Sequence, residues 1–218
     1  GGPALEAVAM AQDLLQRAAG YGDVEEAYLL LERGQAFSDV PYPPSETTPL
    51  HAACRAGHAD MVKLLLSARA NPNAQEVSQV GGRSPLHLAA QANYTDIASD
   101  LLEQGANPLL RDSRGSTPLH LAALKGQADV TALILGRGGD PNVRDYAGFN
   151  AAWWAKEFKH KAVLDIYMSH EVQPLKMSAR ERLDFAGVKF RTGKKKPKKK
   201  EGGRSKSGGR SKSREKRK

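Results

Sequence analysis

Six histidines and one cysteine are the side chains in this 218-residue sequence with a ready capacity for acid–base, nucleophilic or metal chemistry. That chemistry requires them to converge. Three of the histidines instead close the same tetrapeptide, in Thr48-Pro49-Leu50-His51, Ser84-Pro85-Leu86-His87 and Thr117-Pro118-Leu119-His120, at spacings of 36 and 33 residues. Such an interval puts each imidazole on its own copy of a structural unit rather than on a shared ion. His160 and His170 stand alone toward the C-terminal end and are expected in solvent. Cys54 sits among alanines and reads as a small buried residue; Arg55 beside it favours a thiolate, but no paired histidine base is evident locally. A lone cysteine also excludes an intramolecular disulfide and a cysteine-built zinc site. No Gly-x-x-x-x-Gly-Lys-Ser/Thr phosphate loop occurs, since Arg204-Ser205-Lys206-Ser207 resembles only its ending. The sequon Asn93-Tyr94-Thr95 falls where a helix turns and carries no weight. The expectation is a chain with no enzymatic activity, no metal and no cofactor.

The formal charge of +9 hides a partition. Residues 194–218 hold 14 lysines and arginines against Glu201 and Glu215, or +12, while the first 193 residues hold 19 basic and 22 acidic residues, or −3. The basic segment is built from Lys, Arg, Ser and Gly, with Pro197 its sole apolar residue, so it cannot bury enough surface to offset its chain entropy and is expected to be disordered. In the body, no apolar run reaches the ~18 residues of a membrane span. The setting expected from one cysteine and no visible secretory signal is cytosol or nucleus. Gly1 rather than Met opens the chain, so the true N-terminus, with any targeting signal on it, is expected to lie ahead of it.

Each tetrapeptide opens a unit of two helices. Thr or Ser is a good N-cap, and Pro in the first turn gives up no helical hydrogen bond. The second helix is amphipathic, with Ala59, Val62, Leu65 and Leu66 on one face and the same positions filled by Thr95, Ala98, Leu101, Leu102 and by Ala128, Thr131, Ile134, Leu135. Breaks follow at Arg69-Ala70-Asn71-Pro72-Asn73, Gly105-Ala106-Asn107-Pro108 and Gly138-Gly139-Asp140-Pro141-Asn142, where Gly or Asn admits the left-handed exit. Turn residues at 111–115 and 144–148 predict projecting hairpin tips.

These units resemble ankyrin repeats over roughly residues 10–170. The resemblance implies an all-α solenoid of helix-turn-helix units with hairpin fingers. It comprises an N-terminal capping repeat (residues 13–34), three full repeats, and a degenerate C-terminal repeat opened by Asn150-Ala151-Ala152-Trp153. The predicted organisation is 1–173 solenoid, 174–193 short helix or linker, and 194–218 tail. The cap lacks the tetrapeptide, as suits a unit facing water. Pro41-Tyr42-Pro43-Pro44 predicts a stiffened connection after it, and residues 74–83 hold three more residues than the period, so that finger is expected to protrude. The resemblance gives His51, His87 and His120 a structural role linking adjacent repeats, and His58 a role in the turn between helices. It also implies protein binding on the concave face and fingers. The residues carried onto that surface are Arg55, Arg83, Gln91, Ser113, Arg114, Ser116 and Lys125, an aromatic end of Tyr146, Phe149 and Phe158, and the long finger's Glu76, Val77 and Val80. Arg and aromatic residues are the types enriched at interface hot spots.

The tail cluster Lys194, Lys195, Lys196, Lys198, Lys199 and Lys200 resembles a nuclear import signal. With Arg204, Lys206, Arg210, Lys212 and Arg214 it also fits nucleic acid, anionic lipid or an acidic protein surface such as tubulin tails. Phosphorylation at Ser205, Ser207, Ser211 or Ser213 would tune it. Ahead of it, Ser178 and Glu181 form a capping box, and Leu183 and Phe185 could fold onto the last repeat or dock a partner. The expected function is a monomeric adaptor or scaffold that binds one protein through its repeats and a polyanion or import receptor through its tail, in cytoplasm or nucleus. The alternatives are a nucleic-acid-associated regulator acting through the tail, and a structural protein on microtubules or cilia.

Overall fold

A computed structural model describes residues 3–34, 36, 47–77 and 81–174. All lie in the first of the chain's two units, Gly1–Gly187. The proline connection at 41–44, Val80, the linker from 175 onward with Ser178, Glu181, Leu183 and Phe185, and the basic tail lie outside the described residues.

Ten helices among those residues form five hairpins: α1 (Pro3–Tyr21) with α2 (Val24–Glu32), α3 (Pro49–Ala56) with α4 (Ala59–Ser67), α5 (Pro85–Ala92) with α6 (Thr95–Glu103), α7 (Pro118–Lys125) with α8 (Ala128–Gly136), and α9 (Ala151–Glu157) with α10 (Lys161–Ser169). The three tetrapeptides act as predicted. Thr48, Ser84 and Thr117 cap α3, α5 and α7 from extended backbone, with Pro opening each helix. Each of these helices lasts eight residues and ends where Gly57, Asn93 or Gly126 turns left-handed. The first helices pack on one another in chain order, and so do the second helices.

The core runs between the two rows. Leu50, Leu86 and Leu119 are fully buried on the first helices, beside Ala53, Ala89 and Ala122, whose small side chains let the helices approach closely. Each buried leucine contributes about 2 kcal/mol through removal of apolar surface from water. On the second helices Val62, Leu65, Ala98, Leu101, Thr131 and Ile134 are buried as the pattern predicts, but Met61, Ile97 and Val130 join them, widening the apolar stripe.

The ends depart from expectation. Helix α1 begins at Pro3 and runs 19 residues, well ahead of the unit predicted from residue 13, because it lacks the tetrapeptide that fixes the start of the other first helices. The water-facing cap is also less polar than predicted: Val8, Met10, Tyr21, Tyr28 and Leu29 are exposed. At the other end Asn150 caps α9, its Oδ1 accepting the Trp153 amide at 3.0 Å. Tyr167 of α10 is fully buried, with its hydroxyl 3.4 Å from the Leu119 carbonyl.

Two second-helix exits also differ, one of them after α10, where Glu171 is left-handed with φ of 58°. Gly105 and Gly138 take the left-handed conformation after α6 and α8, but after α4 Arg69 takes it, with φ of 64°. A Cβ makes that conformation unfavourable, so the first full repeat carries backbone strain its neighbours avoid.

Candidate functional site

The conserved-looking histidines are used up by the fold. The Thr48 amide donates to His51 Nδ1 at 3.3 Å, leaving the proton on Nε2, which donates to the Arg83 carbonyl of the next finger at 3.0 Å. His87 takes the Ser84 amide at 3.1 Å and donates to the Ser116 carbonyl at 2.9 Å. His120 takes the Thr117 amide at 3.1 Å and donates to the Phe149 carbonyl at 3.1 Å. This ladder requires neutral rings. Burial pushes the pKa of His51 and His87 down to about 4, opposed by the hydrogen bonds to the Arg83 and Ser116 carbonyls. Burial also lowers that of His120. The ladder starts without an imidazole: in the cap, Gln16 Nε2 reaches Thr47 Oγ1 at 3.1 Å.

A second set of rings links the hairpin turns. His58 Nε2 donates to the Gly20 carbonyl at 3.1 Å, and His160 Nε2 donates to the Leu124 carbonyl at 3.1 Å. His160 is therefore part of the packing, not the solvated residue expected from its isolation in sequence; its ring also covers the left-handed Gly126, where a Cβ would collide with it. His170 is exposed. Cys54 is fully buried, and burial pushes its thiol well above the ordinary range. Among the described residues no group of three or more His, Cys, Asp and Glu side chains could hold a metal.

Chemistry of another kind collects on the side of the first helices that faces the fingers. Arg55 of α3, Arg83 from the finger before α5, Gln91 of α5 and Lys125 of α7 surround one shallow groove of about 470 Å³ floored by Leu88 and Ala92. The register explains the convergence, because the last turn of each first helix points the same way. Arg83 Nη1 donates to Gln91 Oε1 at 3.1 Å, while its Nε is buried without a hydrogen-bond partner. Arg55 pairs with Glu76, whose side chain is 1% exposed against 52% for the arginine. No carboxylate pairs with Arg83 or Lys125 among the described residues.

Other predicted surface residues take several positions. Ser113 and Arg114 are exposed at a finger tip, and their backbones join neighbouring fingers: the Ser113 amide donates to the Gly81 carbonyl at 3.0 Å and the Tyr146 amide to the Arg114 carbonyl at 3.0 Å. Tyr146 is exposed and Val77 partly so. Ser116 and Glu76, by contrast, are buried. The first has its amide bound to Asp112 Oδ1 at 2.8 Å and its carbonyl to His87, so it presents no side chain to a partner. The second serves Arg55. Residues 74–77 and 81–83 of the long finger are pinned by the Glu76 amide on the Arg83 carbonyl at 2.9 Å.

The aromatic end is a stacked cluster. Phe149 lies on Trp153 with ring centroids 3.7 Å apart and Trp154 stacks toward Phe158 at 6.1 Å. Phe158 remains 43% exposed. Trp154, which is not among the residues that the sequence carried onto the binding surface, holds the helix position that Leu88 and Leu121 hold in earlier repeats. Counting four residues from each N-cap would have found it. Its Nε1 donates to Asp145 Oδ2 at 2.8 Å.

Serial helical hairpins, tied finger to finger by imidazoles and leaving a line of charged and apolar side chains along one face, define a repeat-built recognition scaffold. Residues 45–76 match the ankyrin repeat, and residues 74–145 match the family of ankyrin repeats in three copies. The chain belongs to the ankyrin-repeat family. Proteins of that family are typically non-enzymatic modules of protein–protein interaction. A comparison with curated proteins gave no match. No helix among the described residues is long and apolar enough to cross a membrane.

Proposed function

We propose that this chain is a non-enzymatic adaptor: the repeats hold a partner protein on the concave face and fingers, and the polybasic tail tethers the assembly to a polyanion or directs it to the nucleus. The observation that carries the first half is the groove bounded by Arg55, Arg83, Gln91 and Lys125, where charged and polar side chains are gathered from three repeats and neither Arg83 nor Lys125 has a carboxylate partner among the described residues. Its exposed neighbours Ser113, Arg114, Tyr146 and Phe158, with half-buried Phe149, extend the surface. The second half rests on charge, +12 concentrated in the last 25 residues, which neutralises phosphates or carboxylates without needing a fold.

A pull-down comparing the full chain with residues 1–190 tests both halves. The expected result is a shared set of partners retained by the short form, with a salt-sensitive set lost with the tail. Identical partners and identical salt dependence for both forms would overturn the two-part reading. If the tail alone recovers nucleic acid and the repeats recover nothing, the regulator reading replaces it; co-sedimentation with polymerised tubulin separates out a microtubule role.

A further inference from the structure

We infer that the groove over α3, α5 and α7, together with the aromatic pair of the adjoining α9, recognises an extended acidic peptide segment carrying an apolar or aromatic anchor, with its carboxylates over Arg83 and Lys125 and its anchor against Trp154 and Phe158. This deepens the adaptor reading and rests on it.

Charge complementarity selects the occupant. Arg83 presents a guanidinium whose Nε is buried and without a partner, while Gln91 fixes its Nη1 edge at 3.1 Å. A guanidinium already held by Gln91 and lacking a carboxylate pairs with an incoming one with little further ordering. Lys125 adds an exposed ammonium one repeat along. Arg55 is already neutralised by Glu76, so it orients the groove's first end without adding net charge. In α9 the position matching Lys125, eight residues after the N-cap, is Phe158, so beyond α7 the cationic side chains give way to Phe158 and Trp154. Carboxylates therefore belong over α5 and α7, and the anchor over α9. The floor between them, Leu88 and Ala92, is apolar and suits the aliphatic stems of glutamates.

Length follows from geometry. Helix layers sit roughly 10 Å apart, so α5 to α9 spans about 20 Å, or about six extended residues. A phosphate backbone fits less well, because two uncompensated cations beside an apolar floor neutralise little of its charge.

The test is fluorescence anisotropy of the full chain with a synthetic peptide of roughly ten residues, long enough to cover that span, bearing four glutamates and a terminal Phe. Because the basic tail also attracts acidic peptides, the readout is the change caused by substitution within the groove. Arg83→Gln and Lys125→Gln together are expected to weaken binding roughly tenfold. Phe158→Ala is expected to weaken the Phe-ended peptide but not its Ala-ended counterpart. Lys125 is exposed, so Lys125→Gln alone gives a part of the loss without threatening the fold.

Unchanged affinity in the double variant, or no substitution-sensitive binding at all, would sink the proposal. Equal, substitution-sensitive binding of a glutamine version of the peptide would also overturn it while leaving a peptide-binding groove, and so the adaptor reading, intact. An oligothymidine that competes for the groove and shows the same tenfold loss would replace the peptide by nucleic acid.

Discussion

His87 Nε2 meets the Ser116 carbonyl at 2.9 Å across the junction between two repeats. The bond demands a neutral ring, since Nδ1 must keep a lone pair for the Ser84 amide. Protonation would put a buried charge between repeats and turn an acceptor into a donor.

Stability should therefore fall with acid. His51 and His87 titrate near 4 in the fold and near 6.5 when unfolded. Between those values the unfolded chain binds protons that the native chain does not, so stability is full above about pH 6.5 and declines as pH drops toward 4. Each ring accounts for at most about 3 kcal/mol of that loss at pH 4. Denaturant titrations at neutral and mildly acidic pH measure it, and His87→Asn should lower neutral-pH stability by about 2 kcal/mol while flattening the pH dependence. A flat wild-type profile over this range contradicts the neutral ladder.

Glu76 is buried against a half-exposed Arg55. Arg55→Ala should destabilise by about 2 kcal/mol, because it leaves a buried carboxylate without its cation. Adding Glu76→Gln should restore part of that stability. A double-mutant cycle reads the coupling, and additive losses would show that the pair contributes nothing.

Arg69, like Glu171 of the last repeat, holds a left-handed backbone that Gly34, Gly105 and Gly138 take at the same register. Replacing it with Gly should stabilise the chain by about 0.5–1 kcal/mol, the relief of the Cβ contact exceeding the entropy gained by the unfolded state. Thermal unfolding shows this as a higher midpoint.

Gly126 is the reverse case. A Cβ there would approach His160 Nδ1 to 2.5 Å, at a residue with φ of 79°. Gly126→Ala should cost about 2 kcal/mol and release the His160 bond to the Leu124 carbonyl. NMR of the His160 ring nitrogens should show the loss of that hydrogen bond.

The repeat register was fully legible in the chain. Thr-Pro-Leu-His at a regular interval carries its own cap and helix start within four residues, so local chemistry determined where α3, α5 and α7 begin, while the repeat-linking role of His51, His87 and His120 came from the resemblance to ankyrin repeats. Charge partition was equally plain, since a sum over residues needs no fold. Tertiary structure decided what depends on neighbours 30 or more residues away. It placed Ser116 inside although finger positions look exposed in sequence, because its carbonyl serves the ring of the preceding repeat. It drew His160 from solvent onto the Leu124 carbonyl. It also left Arg83 with a buried donor beside Gln91. Whether a side chain is free for a partner depends on which backbone atoms the adjacent repeat brings to it, and that is settled only when the repeats stack.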